Sequence, residues 1–266
     1  FKKTNIIVLP GVPSEMKKMM TDSIIPDISS SIKNKYYSKK LRTTGIPESF
    51  IMGSIKDEVS IDDNCSIGYY PSVYGVDLTI SGYSLKKVKN LSEKIETILK
   101  KNIYSKNDDS LERVVVRGGI KMNKTLAVAE SCTGGLLGSR ITEVEGSSAF
   151  FKGGVVSYSN ESKIDILGVK RSTIKSFGAV STQVASEMAE KIRKLFSANY
   201  GLSITGIAGP SGGTESKPVG LVYIGLSTEF NTIVKKFSFS TTRSQIKIKT
   251  SQAALNLLRL ELKYGR

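Results

Sequence analysis

A chain of 266 residues with no histidine and only two cysteines, Cys65 and Cys132, excludes Ser-His-Asp and Cys-His catalysis, a disulfide framework and a structural zinc site. The 39 Lys and Arg against 24 Asp and Glu give a formal charge of +15, placed mostly in the second half: 17 against 14 over 1–112, and 22 against 10 over 113–266. No apolar run reaches the roughly 18 residues of a membrane span and no signal-peptide pattern opens the chain, so no membrane partner and a reducing cytoplasm are expected.

The chain starts at Phe1 and reads as starting inside a domain. Asn5-Ile6-Ile7-Val8-Leu9 suits a strand, Pro10 to Pro13 a turn, Ser14 an N-cap, and Glu15 to about Ile25 a helix. One strand and one helix cannot bury a core, so 1–33 reads as the end of an α/β domain. From 34 to 108 the order is strand, helix, strand, strand, helix, a small α+β domain. Tyr37–Thr44 is a strand closed by Gly45, and Pro47 opens a helix to about Ile55. Ser66–Pro71 and Val76–Ser81 suit a hairpin turning over Ser72–Gly75. Leu85–Lys101 carries Leu85, Val88, Leu91, Ile95 and Ile98 at helical spacing. Lys106–Ser110 is a polar linker.

Over 109–266 strands and helices alternate. A helix near Leu111–Arg117 precedes a strand over Thr125–Ala129, and a long helix covers Gly134–Thr142. Strands follow over Gly153–Tyr158, Tyr200–Thr205, Val219–Ser227 and Thr232–Ser240, with helices over Ser162–Leu167, Thr182–Phe196 and Arg243–Leu262. The expectation is a three-layer α/β/α domain with a mixed sheet, because some strands follow one another directly.

Four segments of this last domain carry chemistry. Ala129-Glu130-Ser131-Cys132-Thr133-Gly134-Gly135 places Ser131 or Cys132 where a buried strand turns into a helix, beside N–H groups able to hold an oxyanion. With histidine absent, the base must be Lys, Asp, Glu, Tyr or the substrate. In the second segment, Gly146 to Lys163, Tyr158 ends a strand and Lys163 enters a helix; a lysine there is either a solvated surface residue or a base whose pKa burial has lowered. The third, Thr205 to Gly220, holds five glycines and two prolines in a loop suited to an anion or a pocket wall, without a Walker or Rossmann pattern. In the fourth, Thr241-Thr242-Arg243, the guanidinium of Arg243 is either a phosphate clamp or an ordinary surface cation. The positive field suits an anionic partner, yet the lysines form no run of five and equally suit a solvated surface.

In this order, AESCTGG, GSSAFFKGGVVSYSNESK, TGIAGPSGGTESKPVG and the Thr-Thr-Arg element resemble the C-terminal domain of the CinA family, over roughly 111–265. That domain is shared with nicotinamide-mononucleotide deamidases of the PncC type. Leu9-Pro10-Gly11-Val12-Pro13-Ser14-Glu15-Met16 is similar to the end of the molybdopterin-binding-like domain that begins CinA proteins, and 34–108 to their KH-like middle domain. The resemblance implies an amidohydrolase with Ser131 as nucleophile, Lys163 as base and Tyr158 assisting, which converts nicotinamide mononucleotide to nicotinate mononucleotide and ammonia. It implies that Thr133, Gly134, Gly135, Ser148, Thr205, Gly206, Ala208, Gly209 and Gly212 shape the substrate pocket, that Arg243 holds the 5′-phosphate, and that no metal or other cofactor takes part. The chain departs from the family at Ser211, where an acidic residue is usual, and in the helix before AESCTGG, which reads as shortened and interrupted by Gly118-Gly119. The metal-dependent pyrophosphatase chemistry on ADP-ribose associated with the family's first domain is expected to be absent here.

The expected partners are nicotinamide mononucleotide and a second copy of the chain, as a dimer. Nucleic acid is not expected: 34–108 lacks the Gly-X-X-Gly clamp of RNA-binding KH domains and is almost neutral. A catalytically silent, regulatory relative is the alternative, and the presence of Ser131, Tyr158 and Lys163 argues against it.

Overall fold

The computed structural model describes residues 5–31, 35–58 and 65–265, so the expected boundary at 33/34 lies outside the described residues. Asn5–Leu9 forms no strand, contrary to expectation, since no neighbouring strand offers its backbone a ladder. Helix α1 (Pro13–Met19) starts at Pro13, where a missing N–H is no loss, so Ser14 lies inside the helix and Val12 takes the cap position. The chain then widens into a π-type turn over Met20–Ile24 and continues as α2 (Ile25–Ser31), which extends the helical stretch well past Ile25.

The small unit contains β1 (Tyr37–Thr43), α3 (Glu48–Glu58), β2 (Cys65–Ser72), β3 (Gly75–Gly82), α4 (Leu85–Leu99) and β4 (Ile103–Ser105). Its four strands pair antiparallel in the order β2-β3-β1-β4. Alternation along β3 turns Val76, Leu78 and Ile80 inward against Ile51 and Ile55 of α3 and Val88, Leu91, Ile95 and Leu99 of α4. Ser84 caps α4 by accepting from Lys87 N at 3.4 Å. Gly75 closes the hairpin at φ 146°, where a side chain would meet Thr43 O at 2.0 Å. Strand β4 was not expected, because three residues are too few to alternate visibly.

The larger unit contains α5 (Leu111–Lys121), β5 (Leu126–Glu130), α6 (Leu136–Thr142), β6 (Phe151–Val156), α7 (Asn160–Asp165), α8 (Arg171–Phe177), α9 (Thr182–Leu195), β7 (Tyr200–Gly206), β8 (Leu221–Ser227), β9 (Thr232–Ser238) and α10 (Arg243–Tyr264). Its sheet runs β6-β5-β7-β8-β9, with β6, β5 and β7 parallel and β8 antiparallel to both of its neighbours, β7 and β9. Ala127 and Ala129 face Leu167, Val169, Val184, Met188 and Ile192 on the α9 side, while Val128, Leu202 and Ile204 face Val115, Leu137, Leu255 and Leu258 of α5, α6 and α10. The three-layer, mixed-sheet expectation therefore holds. Helix α5 is not interrupted: it runs through Gly118 and Gly119, and Gly119 lies so close to the Phe150 ring that a Cβ would come within 2.2 Å.

Helix α10 also ties the two units together. Gln252 Nε2 donates to Thr44 Oγ1 at 3.2 Å, and the buried Arg259 guanidinium donates to the carbonyls of Lys101 and Ile103. Arg140 of α6 bonds Glu112, Ser251 and Gln252 and stacks over the Tyr74 ring at 5.2 Å. Among the described residues no helix is long and apolar enough to cross a membrane.

Candidate active site

The parallel strands end on a common edge, and the ladder itself assembles the site there. Ser131 N donates to Ile204 O at 3.0 Å, which fixes the residue after β5 against β7. Ser157 N donates to Glu130 O at 2.8 Å, which brings the residue after β6 alongside. Ser159 then caps α7 in a reciprocal capping box with Ser162, and this turn carries Lys163 back toward Ser131.

Lys163 is 2% exposed, and its Nζ lies 3.1 Å from Ser131 Oγ, 2.8 Å from Ser157 O and 3.4 Å from Ser159 O. Burial holds its pKa below the ordinary lysine value, opposed by the nearby Cys132 and Glu161. The partner set suits a neutral amine: two N–H donors for two carbonyls, and a lone pair for the Ser131 O–H. The structure therefore brings together the two residues expected to act as nucleophile and base.

The residues between them differ from expectation. Helix α6 begins at Leu136, and Ser131–Gly135 form a turn with Gly134 and Gly135 at φ 63° and 92°. The N–H groups at the α6 N-terminus do not face a substrate. The buried Glu130 carboxylate accepts from Gly135 N at 3.1 Å, Leu137 N at 3.0 Å and Gly138 N at 2.8 Å. The Thr133 hydroxyl is buried and has no hydrogen-bond partner among the described residues. Burial pushes the Cys132 thiol up to about 12, which keeps it protonated and unreactive near neutrality.

Tyr158 lies beyond the end of β6 and is 60% exposed. Its hydroxyl accepts from Arg243 Nη2 at 2.8 Å, and among the described residues it makes no hydrogen bond to Ser131 or Lys163. Arg243 Nη1 donates to Gly209 O at 2.5 Å, so one guanidinium links α10, the glycine-rich loop and Tyr158. Within that loop Thr205 Oγ1 donates to Ala179 O at 2.8 Å, and Ala208 is buried. A Cβ at Gly206 would meet Leu221 O at 2.8 Å, so Thr205, Gly206 and Ala208 act as packing for the loop. Gly209 and Gly212 take positive φ of 73° and 87°. Ser148 is exposed and sits before β6, at the opposite edge of the sheet: Leu126 pairs with Phe151 and Glu130 with Val156. Five strand residues separate those edges by roughly 17 Å, so the chain does not bring Ser148 to Ser131.

Three residues that the sequence reading did not single out complete the site. They are Glu130, Ser157 through its carbonyl, and Lys247, whose Nζ lies 3.7 Å from where a Cβ on Gly134 would stand. Lys247 follows Arg243 by four positions on α10 and so shares its face, a signal present in the sequence. Two cavities, of about 480 and 810 Å³, lie elsewhere, between the small unit and the larger one.

The family model of the CinA C-terminal domain matches residues 108–262, and that of the damage-inducible protein CinA KH domain matches 38–105. A putative competence-damage inducible protein of Thermoanaerobacter pseudethanolicus is 42% identical over 264 residues, covering 96% of this chain and 63% of that protein. One from Clostridioides difficile is 42% identical over 270 residues, covering 97% and 65%. The chain thus spans somewhat less than two thirds of the curated relatives it matches. Among solved structures, the competence/damage inducible protein CihA of Agrobacterium tumefaciens is 38% identical with a TM-score of 0.56, over 57% of this chain and 93% of that one. A competence damage-inducible protein A of Klebsiella pneumoniae is 31% identical with a TM-score of 0.57, over 59% and 97%.

Proposed function

The chain belongs to the CinA family, and from that premise we propose that its larger unit is a serine amidohydrolase acting on the carboxamide of nicotinamide mononucleotide. The observation that carries the reading is the buried Lys163 Nζ 3.1 Å from Ser131 Oγ in a chain without histidine. Lys163 as neutral amine takes the Ser131 proton as Oγ bonds to the carboxamide carbon, and the C=O electron pair moves to oxygen. Collapse of this tetrahedral oxyanion breaks the C–N bond, and the Lys163 ammonium returns the proton to the departing ammonia. Water then attacks the acyl-enzyme with Lys163 again as base. Cleavage of the acyl–Oγ bond releases nicotinate mononucleotide, and Ser131 regains its proton.

Arg243 and Lys247 stand together at the start of α10 and supply positive charge for the 5′-phosphate, with the exposed Tyr158 ring beside them as an apolar surface. The test is ammonia release from nicotinamide mononucleotide by wild type, Ser131→Ala and Lys163→Ala. The wild type is expected to release ammonia and both variants to lose the activity. Silence of the wild type would overturn the substrate assignment, and an active Ser131→Ala would overturn the mechanism.

A further inference from the structure

Helix α10 carries two cationic faces. Arg243 and Lys247 share the one that reaches Tyr158 and Gly134. Lys249 stands two positions beyond Lys247, so it points about 200° round the helix. With Ala253, Asn256, Leu257 and Leu260 it forms a second stripe at three- and four-residue spacing. That stripe lines the cavity of about 810 Å³ between the two units. Strand β9 adds Lys235 and the near-parallel rings of Phe237 and Phe239, with centroids 5.8 Å apart. The small unit supplies the remaining wall through Gly45 to Glu48 and the hairpin at Tyr74.

A cavity of this size, set between two units and walled mainly by apolar and aromatic side chains, has the build of a small-molecule site. Its polar groups say what kind of molecule. Neither Lys235 nor Lys249 makes a hydrogen bond or an ion pair among the described residues. Two ammonium groups against one carboxylate, Glu48, leave the wall positive. Asn256 adds a donor: its Oδ1 accepts from Arg259 Nε at 3.0 Å and Nη2 at 2.8 Å, which fixes the amide. Its Nδ2 has no acceptor among the described residues and lies 3.1 Å from where a Cβ on Gly45 would stand. Gln252 offers nothing more, since its amide is spent on Thr44 and Arg140. We propose that this cavity is a second ligand site, for a planar aromatic anion. Its rings lie against Phe237, Phe239 and Leu257, and its charged group meets Lys235, Lys249 and Asn256 Nδ2. The walls include neither Ser131 nor Lys163 and turn away from the Arg243 face of α10, so the ligand is not the amide substrate. It touches both units at once.

The probe is 8-anilinonaphthalene-1-sulfonate, an aromatic anion whose fluorescence rises in apolar surroundings. N-phenyl-1-naphthylamine is the same ring system without the sulfonate. Titrated against the full chain, the sulfonate is expected to saturate at one per chain, and the neutral compound to bind at least ~10-fold more weakly. In the double variant Lys235→Gln/Lys249→Gln, affinity for the sulfonate is expected to fall at least ~10-fold and affinity for the neutral compound to stay. Ala253→Phe fills the cavity and is expected to lose both. Arg243→Gln, on the other face of α10, is expected to change neither. Absence of saturable binding, or equal affinity for the two compounds, would overturn the proposal. So would a sulfonate affinity unmoved by the double variant, the result expected of a probe held on exposed apolar residues of α1 and α2 such as Met19 and Ile25. Weakened binding in Arg243→Gln would place the probe in the catalytic site and also overturn it. Lys235 and Lys249 have no partner to lose, so the double variant decides even where Ala253→Phe does not fold.

Discussion

Replacing Lys163 by Arg separates a base that works as a neutral amine from one that supplies only positive charge. In the structure Nζ meets two carbonyls and one hydroxyl. A guanidinium can donate to all three, but it has no lone pair to offer and does not deprotonate. Loss of general-base catalysis is worth ~10²–10⁴ in rate, and Lys163→Arg is expected to lose at least the lower figure. An ordinary lysine is neutral in only about one molecule in 1,000 at pH 7.5, and each unit by which its pKa is lowered recovers a factor of ten. Because burial lowers the Lys163 pKa, wild-type kcat/KM is expected to climb tenfold per pH unit and level off before the ordinary lysine value. Activity is lost as pH falls. The Arg variant is expected to run low and without that rise. Ammonia release measured from pH 6 to 10 decides; a wild-type profile that still rises tenfold per unit up to pH 10 without levelling, or an Arg variant within tenfold of wild type, would refute the reasoning. Linkage gives a second sign: the unfolded chain holds this proton more tightly, so folding becomes more favourable as pH rises from the folded pKa toward 10.5. Wild type is expected to gain stability on Lys163→Met across that window in urea titrations.

Adjacent glycines of α5 are expected to respond in opposite directions. At Gly118 the nearest atom to a new Cβ is Leu262 Cδ1 at 4.0 Å, so Gly118→Ala is expected to stabilise by about 0.5–1 kcal/mol through helix propensity. At Gly119 the Phe150 ring stands at 2.2 Å, and overpacking is expected to outweigh that gain, for a net loss of about 1–3 kcal/mol; thermal unfolding of the two variants checks the pair. Arg243→Met releases both Gly209 O and the Tyr158 hydroxyl. A charged hydrogen bond is worth about 1.5–3 kcal/mol, so KM for nicotinamide mononucleotide is expected to rise about 10- to 100-fold, with a smaller rise for nicotinamide riboside, which lacks the phosphate.

The elements that carry strong periodicity were legible in the sequence. Leu85 to Leu99 shows its apolar face at every third or fourth position, and the β2–β3 hairpin is bounded by its turn residues. Ser131 was legible because an apolar strand stops abruptly at a polar residue followed by two glycines. Its pairing with Lys163 was not, since 32 positions separate them and only the parallel registry of β5 with β6 closes the gap. A family resemblance supplied that partner, and the geometry now gives it a physical basis. Other errors share one cause, reading a local signal without the tertiary partner that overrides it. Asn5–Leu9 has strand composition and no strand to pair with. Gly118-Gly119 looks like an interruption until Phe150 is seen to need the space. Glu130 looks like an incidental acid until the N–H groups of α6 are traced to it.

Helix α10 begins at Arg243, beside Tyr158 and the glycine-rich loop, and its later turns grip the small unit through Gln252 and Arg259. Twenty-two residues make a rod of roughly 33 Å. Ile246, Ala254, Leu255 and Leu258 seat this rod in the larger unit's core along its length, so a single rigid element carries Arg243 at one end and the grip on the small unit at the other.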